Sequence, residues 1–182
     1  MHDPYVLPPN LPAPEDDGAA DHLAGLELPS LVLESSQGPV DVSQFEVLYV
    51  YPRTGKPGVP SPEGWDEFPG ARGCTPQSCS FRDHFGELKQ LGVAHIFGLS
   101  TQHTDFQREA VERLHLPFPV LSDADLKLAR AIRLPTFTIA GMTLLKRMAL
   151  VIEDGVIEKV FYPVFPPDKN AEEVVAWLKA SR

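Results

Sequence analysis

Residues 45–51, FEVLYVY, are rich in β-branched and aromatic side chains and do not alternate between polar and apolar positions. Such a run is stable as a strand only when both of its faces are covered, so it reads as the central strand of a sheet with helices above and below. The rest of the chain supplies the covers. Ser78, Phe81, Phe85, Leu88 and Leu91 recur at helical spacing, and Gly92 stops that helix. Phe106, Ala110, Val111 and Leu114 stripe a second helix, residues 125–133 read as a shorter third, and Val174, Val175 and Leu178 mark one near the C-terminus. Residues 93–99 form a second buried strand. Residues 150–152 and 156–161 flank Glu153-Asp154-Gly155, the bend of a hairpin, and a smaller hairpin is expected around Ser36-Gln37-Gly38.

The order strand, helix, strand, helix, strand, strand, helix predicts an α/β protein of thioredoxin-like fold, with a mixed central sheet and helices on both faces. A chain of 182 residues suffices for one well-buried core, and no internal repeat divides it. Residues 1–24 are rich in Pro and Asp without an apolar period and are expected to form an extended or disordered arm, leaving 25–182 as a single domain. No apolar run approaches the ~20 residues of a membrane span, and MHDPYVLPPN has neither the basic region nor the apolar core of a signal peptide. A cytoplasmic location without a membrane partner is expected. The net charge of -9, from 16 Lys plus Arg against 25 Asp plus Glu, with the cations scattered, argues against a nucleic-acid partner. No G-x-S-x-G, H-E-x-x-H or Walker pattern occurs, so hydrolase and nucleotide-binding readings have no support.

The chain has two cysteines, Cys74 and Cys79. They are too few for a disulfide scaffold, and their close spacing invites a redox or metal reading. Ahead of them runs RTGKPGVPSPEGWDEFPGAR, residues 53–72, a Pro/Gly loop of a length that compact domains carry mainly for function, expected to flank the site. Cys74 stands at the mouth of the following helix, where the helix terminus favours a thiolate over a thiol of ordinary pKa ~8.5. Gly73 permits close backbone approach, and Thr75-Pro76 suits a helix start. Cys74 shares the stripe of Ser78, Phe81 and Leu88 and so faces inward, whereas Cys79 lies ~140° around the axis at ~100° per residue. The inward thiol is the better nucleophile, and the other is positioned as a resolver. Cys74, Cys79 and His84, at five-residue intervals, point ~140° apart and do not converge on one ion, so neither a metal nor a cofactor is expected. His84 and His95 read as structural or exposed, Arg72 as a solvated loop residue, and Ser100 as a cap of the next helix. Trp65 and Phe68 read either as pocket walls or as loop packing.

GCTPQSCSFRDHFGEL, the upstream strand ending YVYP, the later IFGLSTQ and the R-x-x-L-V-I-x-D-G strand together resemble the peroxiredoxins, in particular the bacterioferritin comigratory protein or peroxiredoxin Q branch. The likeness spans roughly residues 25–180. It implies that Cys74 is the peroxidatic cysteine, which attacks the O–O bond and becomes a sulfenic acid, and that Cys79 resolves it as an intramolecular disulfide. It further implies a hydrogen peroxide or organic hydroperoxide substrate, reduction by thioredoxin or a similar dithiol protein, and a monomer or homodimer. Arg147 matches the family's active-site arginine, and Pro52, Gly73 and Thr75 fall around the peroxide. The family places a threonine three residues before the cysteine and a proline seven before, where this chain has Ala71 and Glu67. Thr54, two residues after Pro52, is the candidate to supply that hydroxyl. Two other readings share the chemistry: a peroxide-responsive redox sensor, and a protein thiol-disulfide oxidoreductase, although such enzymes keep only two residues between their cysteines.

Overall fold

The computed structural model describes residues 3–182. A five-stranded mixed sheet carries β3 (Val47–Val50) at its centre, with all four residues buried, as the unbroken apolar run requires. On one side β3 runs parallel to β4 (Ile96–Ser100), which in turn lies parallel to β5 (Val120–Ser122). On the other it pairs antiparallel with β8 (Met148–Glu153), which turns at Asp154-Gly155 into β9 (Val156–Phe161), giving the order β5-β4-β3-β8-β9. Tyr49 faces Gly98 across the β3–β4 pair. A Cβ on Gly98 would come within 2.8 Å of the Tyr49 ring, so only glycine fits that register.

Helices α1 (Cys74–Asp83), α2 (Phe85–Gln90), α3 (Thr104–Leu114) and α5 (Asn170–Ser181) cover one face, where Tyr49 stacks on Phe81 at 4.6 Å between ring centroids. Helix α4 (Lys127–Ile132) and the hairpin of β1 (Val32–Leu33) and β2 (Val40–Asp41) cover the other, around Leu48 and Val50. The thioredoxin-like expectation therefore describes the molecule. Two elements were not anticipated: the edge strand β5, and a separate hairpin of β6 (Thr136–Ile139) with β7 (Met142–Leu145) turning at Ala140-Gly141. Among the described residues no helix is long and apolar enough to cross a membrane.

Several local expectations are corrected. The helix predicted to run through Leu91 is broken at His84, where the backbone N–H and ring Nδ1 both approach the Ser80 carbonyl. Ser100 does not cap α3. It lies fully buried in β4, where its Oγ accepts from Gln107 Nε2. Phe106, placed on the buried stripe, is exposed, with Lys56 Nζ 5.3 Å from its ring centre. Arg72 is buried and pairs with Asp66 at 3.0 Å, because the loop and the arm close over it. Residues 3–24 contain no helix or strand, yet Leu23 is fully buried and His22 Nε2 lies 2.8 Å from the Ile132 carbonyl oxygen. Asp17 meets both Lys146 Nζ and the Tyr162 hydroxyl at 2.8 Å. These bonds hold its carboxyl well below the usual carboxylate range.

Candidate active site

The sheet brings the end of the loop, the start of α1 and the residue before β8 to one point. Gly73 caps α1 with φ +120, and Pro167 and Leu7 leave no room for a Cβ, so glycine is required both by conformation and by space. Its lack of a side chain leaves the first N–H groups of the helix uncapped, a favourable place for negative charge on Cys74, the first helical residue. Cys74 is buried. Its Sγ lies 3.7 Å from the Ala71 carbonyl oxygen, to which the thiol donates, and 3.3 Å from Arg147 Nη2.

Arg147 is buried as well, and its fork is fully directed. Nη2 donates to the Gly70 and Ala71 carbonyls at 3.2 and 2.9 Å, Nη1 donates to Gln77 Oε1 at 2.6 Å, and Nε has no partner among the described residues. Among the described residues no carboxylate pairs with this guanidinium, although buried cations ordinarily require a counter-charge. Apart from the carbonyl and amide oxygens, the neighbour its fork reaches is the Cys74 sulfur. Gln77 in turn donates from Nε2 to Asn170 Oδ1 at 2.9 Å, and both residues are fully buried. A chain Asn170–Gln77–Arg147–Cys74 thus runs from the start of α5 to the thiol. Sequence reasoning missed its first two members. Gln77 carried a signal, lying three residues after Cys74 on the same helix face, whereas Asn170 carried none.

Beneath the thiol, Tyr49 donates to Ser78 Oγ at 3.0 Å, and burial pushes both the Tyr49 and Tyr51 phenols up, so they are neutral donors. Cys79 is half-buried on the adjacent face, and burial outweighs the nearby Arg82 and Arg113 and pushes its thiol up. The two cysteines therefore differ as the helix geometry suggests. Thr75 is buried beside Cys74 with its hydroxyl unpartnered among the described residues. Pro52 is buried just past β3. Thr54 is buried too, but its hydroxyl donates to Gln102 Oε1 at 3.2 Å, and no hydrogen bond joins it to Cys74 or Arg147 among the described residues. A cavity of about 170 Å³ has Arg147, Lys146, Glu15 and Tyr162 in its lining beside Phe68, Pro69 and Gly70 of the loop and Phe137, Val164 and Pro14. Phe68 stacks on Phe137 at 4.4 Å, so the loop aromatics both wall the cavity and pack on β6.

The sequence model described as Redoxin matches residues 23–175. The chain belongs to the redoxin family. Within it, the chain is a peroxiredoxin of the peroxiredoxin Q branch, and so a peroxidase enzyme. The chloroplastic peroxiredoxin Q of Sedum lineare is 29% identical over 178 residues, covering 94% of this chain and 86% of that one. That of Arabidopsis thaliana is 28% identical over 163 residues, covering 86% of this chain and 67% of its own length. Among solved structures, peroxidoxin BcpB from Mycobacterium tuberculosis superposes with a TM-score of 0.70 at 26% identity, over 88% of this chain and 98% of that one. The bacterioferritin comigratory protein of Xanthomonas campestris gives 0.66 at 24% identity, over 87% and 98%, a likeness of fold.

Gln77 is expected to act through the arginine. Gln77→Leu should lower the rate constant for peroxide reaction about tenfold, as expected when a catalytic donor loses its fixed orientation. Gln77→Glu, which still accepts from Nη1, should restore part of it. An unchanged rate constant in both variants, measured by stopped-flow oxidation, would show that Arg147 is positioned by its carbonyl bonds alone.

Proposed function

We propose that this peroxiredoxin reduces hydrogen peroxide and organic hydroperoxides with Cys74 as the attacking thiolate and Cys79 as the resolving thiol. The observation that carries the reading is the buried Arg147 guanidinium, 3.3 Å from Cys74 Sγ and paired with no carboxylate among the described residues. In the first step the thiolate attacks the nearer peroxide oxygen. The S–O bond forms, the O–O bond breaks, and the leaving oxygen takes a proton to depart as water or an alcohol. The charge that moves from sulfur to oxygen stays within reach of the Arg147 fork and the first N–H groups of α1. In the second step the Cys79 sulfur attacks the sulfenic acid, the disulfide forms and water leaves. A dithiol protein such as thioredoxin then reduces it. Gly73 and Thr75 border the peroxide, Pro52 ends the strand beneath it, and Thr54 braces the loop through Gln102 instead of serving the thiol. We assign the activity to one domain over residues 25–182, as a monomer or homodimer, and the chain to the cytoplasm, where two free thiols persist.

Peroxide consumption coupled to thioredoxin and its reductase, set beside insulin reduction, tests this function. Rapid consumption without insulin reduction is expected, whereas insulin reduction without consumption would make the chain a protein disulfide reductase. The cycle has a structural signature as well. Both cysteines lie within α1, and five residues of ideal helix separate Cα atoms by about 8.7 Å, from a rise of about 7.5 Å and a chord of about 4.3 Å. A disulfide tolerates at most ~7 Å, so the first turn must open before the bond closes. Thr75-Pro76 eases that opening, since the residue before a proline disfavours helical angles. Oxidation should therefore raise amide exchange over residues 74–80 relative to the reduced protein, and equal exchange in the two forms would exclude an intramolecular bond that needs unwinding.

A further inference from the structure

The arm, residues 3–22 of the described chain, precedes the stretch that Redoxin matches, and it lies against the active site. Arg72, two residues before Cys74, donates from Nη2 to the Asp3 and Val6 carbonyls at 2.7 and 3.0 Å. Leu7 packs against Gly73. Pro14 approaches Gly70 so closely that a Cβ there would lie 3.4 Å from its ring, and it lines the cavity that Arg147 borders. Asp17 then ties the arm to Lys146, the neighbour of Arg147, and to Tyr162. One wall of the cleft is therefore built by residues that the family match does not include.

The cleft is larger than hydrogen peroxide needs. An apolar void of about 150 Å³ holds a benzene-sized ligand. This cavity, at about 170 Å³, is bordered by Arg147, which reaches Cys74 Sγ at 3.3 Å, by Glu15, Lys146 and Tyr162, and by the apolar side chains of Phe68, Phe137 and Val164. Those side chains give nothing to hydrogen peroxide, which has no apolar surface to bury, and they gain from a substituted hydroperoxide. We propose that residues 7–17 are a specificity element, with the Pro14 ring completing a wall that holds the compact apolar substituent of an alkyl or aryl hydroperoxide while its O–O bond meets Arg147 and Cys74. The proposal rests on the peroxidase reading above, and the reaction balances as given there, the substituent leaving on the alcohol.

The test compares kcat/KM for cumene hydroperoxide and for hydrogen peroxide in the full-length protein and in Pro14→Gly and Asp17→Ala. Pro14→Gly removes the ring, and Asp17→Ala releases the arm from its anchors on an exposed side chain. In both, the cumene-to-hydrogen-peroxide ratio should fall about tenfold, the discrimination that one apolar contact of methylene size supplies. A ratio within twofold of the wild type in both variants would overturn the arm's role. Wild-type protein that reduces neither peroxide would instead overturn the peroxidase reading, so the two failures are distinguishable.

Discussion

Cys74→Ser is expected to abolish peroxide reduction, whereas Cys79→Ser should consume one equivalent of peroxide and stop at the sulfenic acid. The asymmetry follows from position on one helix. Cys74 is the first residue of α1, buried against Arg147 and beside uncapped N–H groups, while Cys79 sits half-buried on the next face with its thiol pushed up by burial. A hydroxyl in place of the Cys74 sulfur keeps the shape and loses the nucleophile, since serine does not ionise in this range. Mass spectrometry after one equivalent of peroxide reads the result directly: no added oxygen in Cys74→Ser, and one oxygen in Cys79→Ser that a sulfenic-acid trap captures. The raised Cys79 pKa adds a pH signature. Because burial disfavours the thiolate, alkylation of Cys79 in the Cys74→Ser protein should reach half its maximal rate at a pH above that of a free cysteine. Full turnover by Cys74→Ser would reverse the roles of the two residues.

Arg147→Ala should slow the peroxide reaction roughly tenfold to a thousandfold, the range expected when a fixed donor is removed from a place where charge develops. Lysine should rescue poorly. The native fork spans the Gly70 and Ala71 carbonyls, Gln77 and the Cys74 sulfur at once, and a single ammonium on a flexible stem cannot satisfy that set in one geometry. The stopped-flow rate constant of Cys74 oxidation is the measurement. An unchanged constant in Arg147→Ala would place the anion-stabilising charge elsewhere, and the buried, closely held Arg72 would be the next residue to test.

Much of this architecture was legible because burial leaves a period in the chain. The apolar run at 45–51 marked β3, the Asp154-Gly155 bend marked β8–β9, and the stripe through Ser78 and Phe81 put Cys74 on the inward face. Where local pattern misled, a competing bond explains it. His84 shares the Ser80 carbonyl with its own backbone and breaks the helix, and Phe106 turns outward under Lys56 despite its place on the stripe. The short β5 escaped because three residues are too few to show a period, and β6–β7 because its burial follows no single period, β6 alternating exposed and half-covered residues while β7 buries Leu144 and Leu145 in succession.

The candidate site divides along the same line. The sequence by itself determined that an inward cysteine opens a helix after a long Pro/Gly loop, since each of those properties is local, and the family likeness pointed to Arg147. Only the tertiary structure decided what holds that arginine. Setting β8 beside β3 brings Arg147 to a thiol 73 positions away, and docking α5 on α1 joins Asn170 to Gln77 across 93 positions. It likewise decided that Thr54 turns to Gln102 and that a proline-rich arm without a period of its own walls the cleft. Periodicity records which face of an element is buried, but a hydrogen bond between distant elements depends on their relative placement, and that is set when the whole sheet and its covers close around one core.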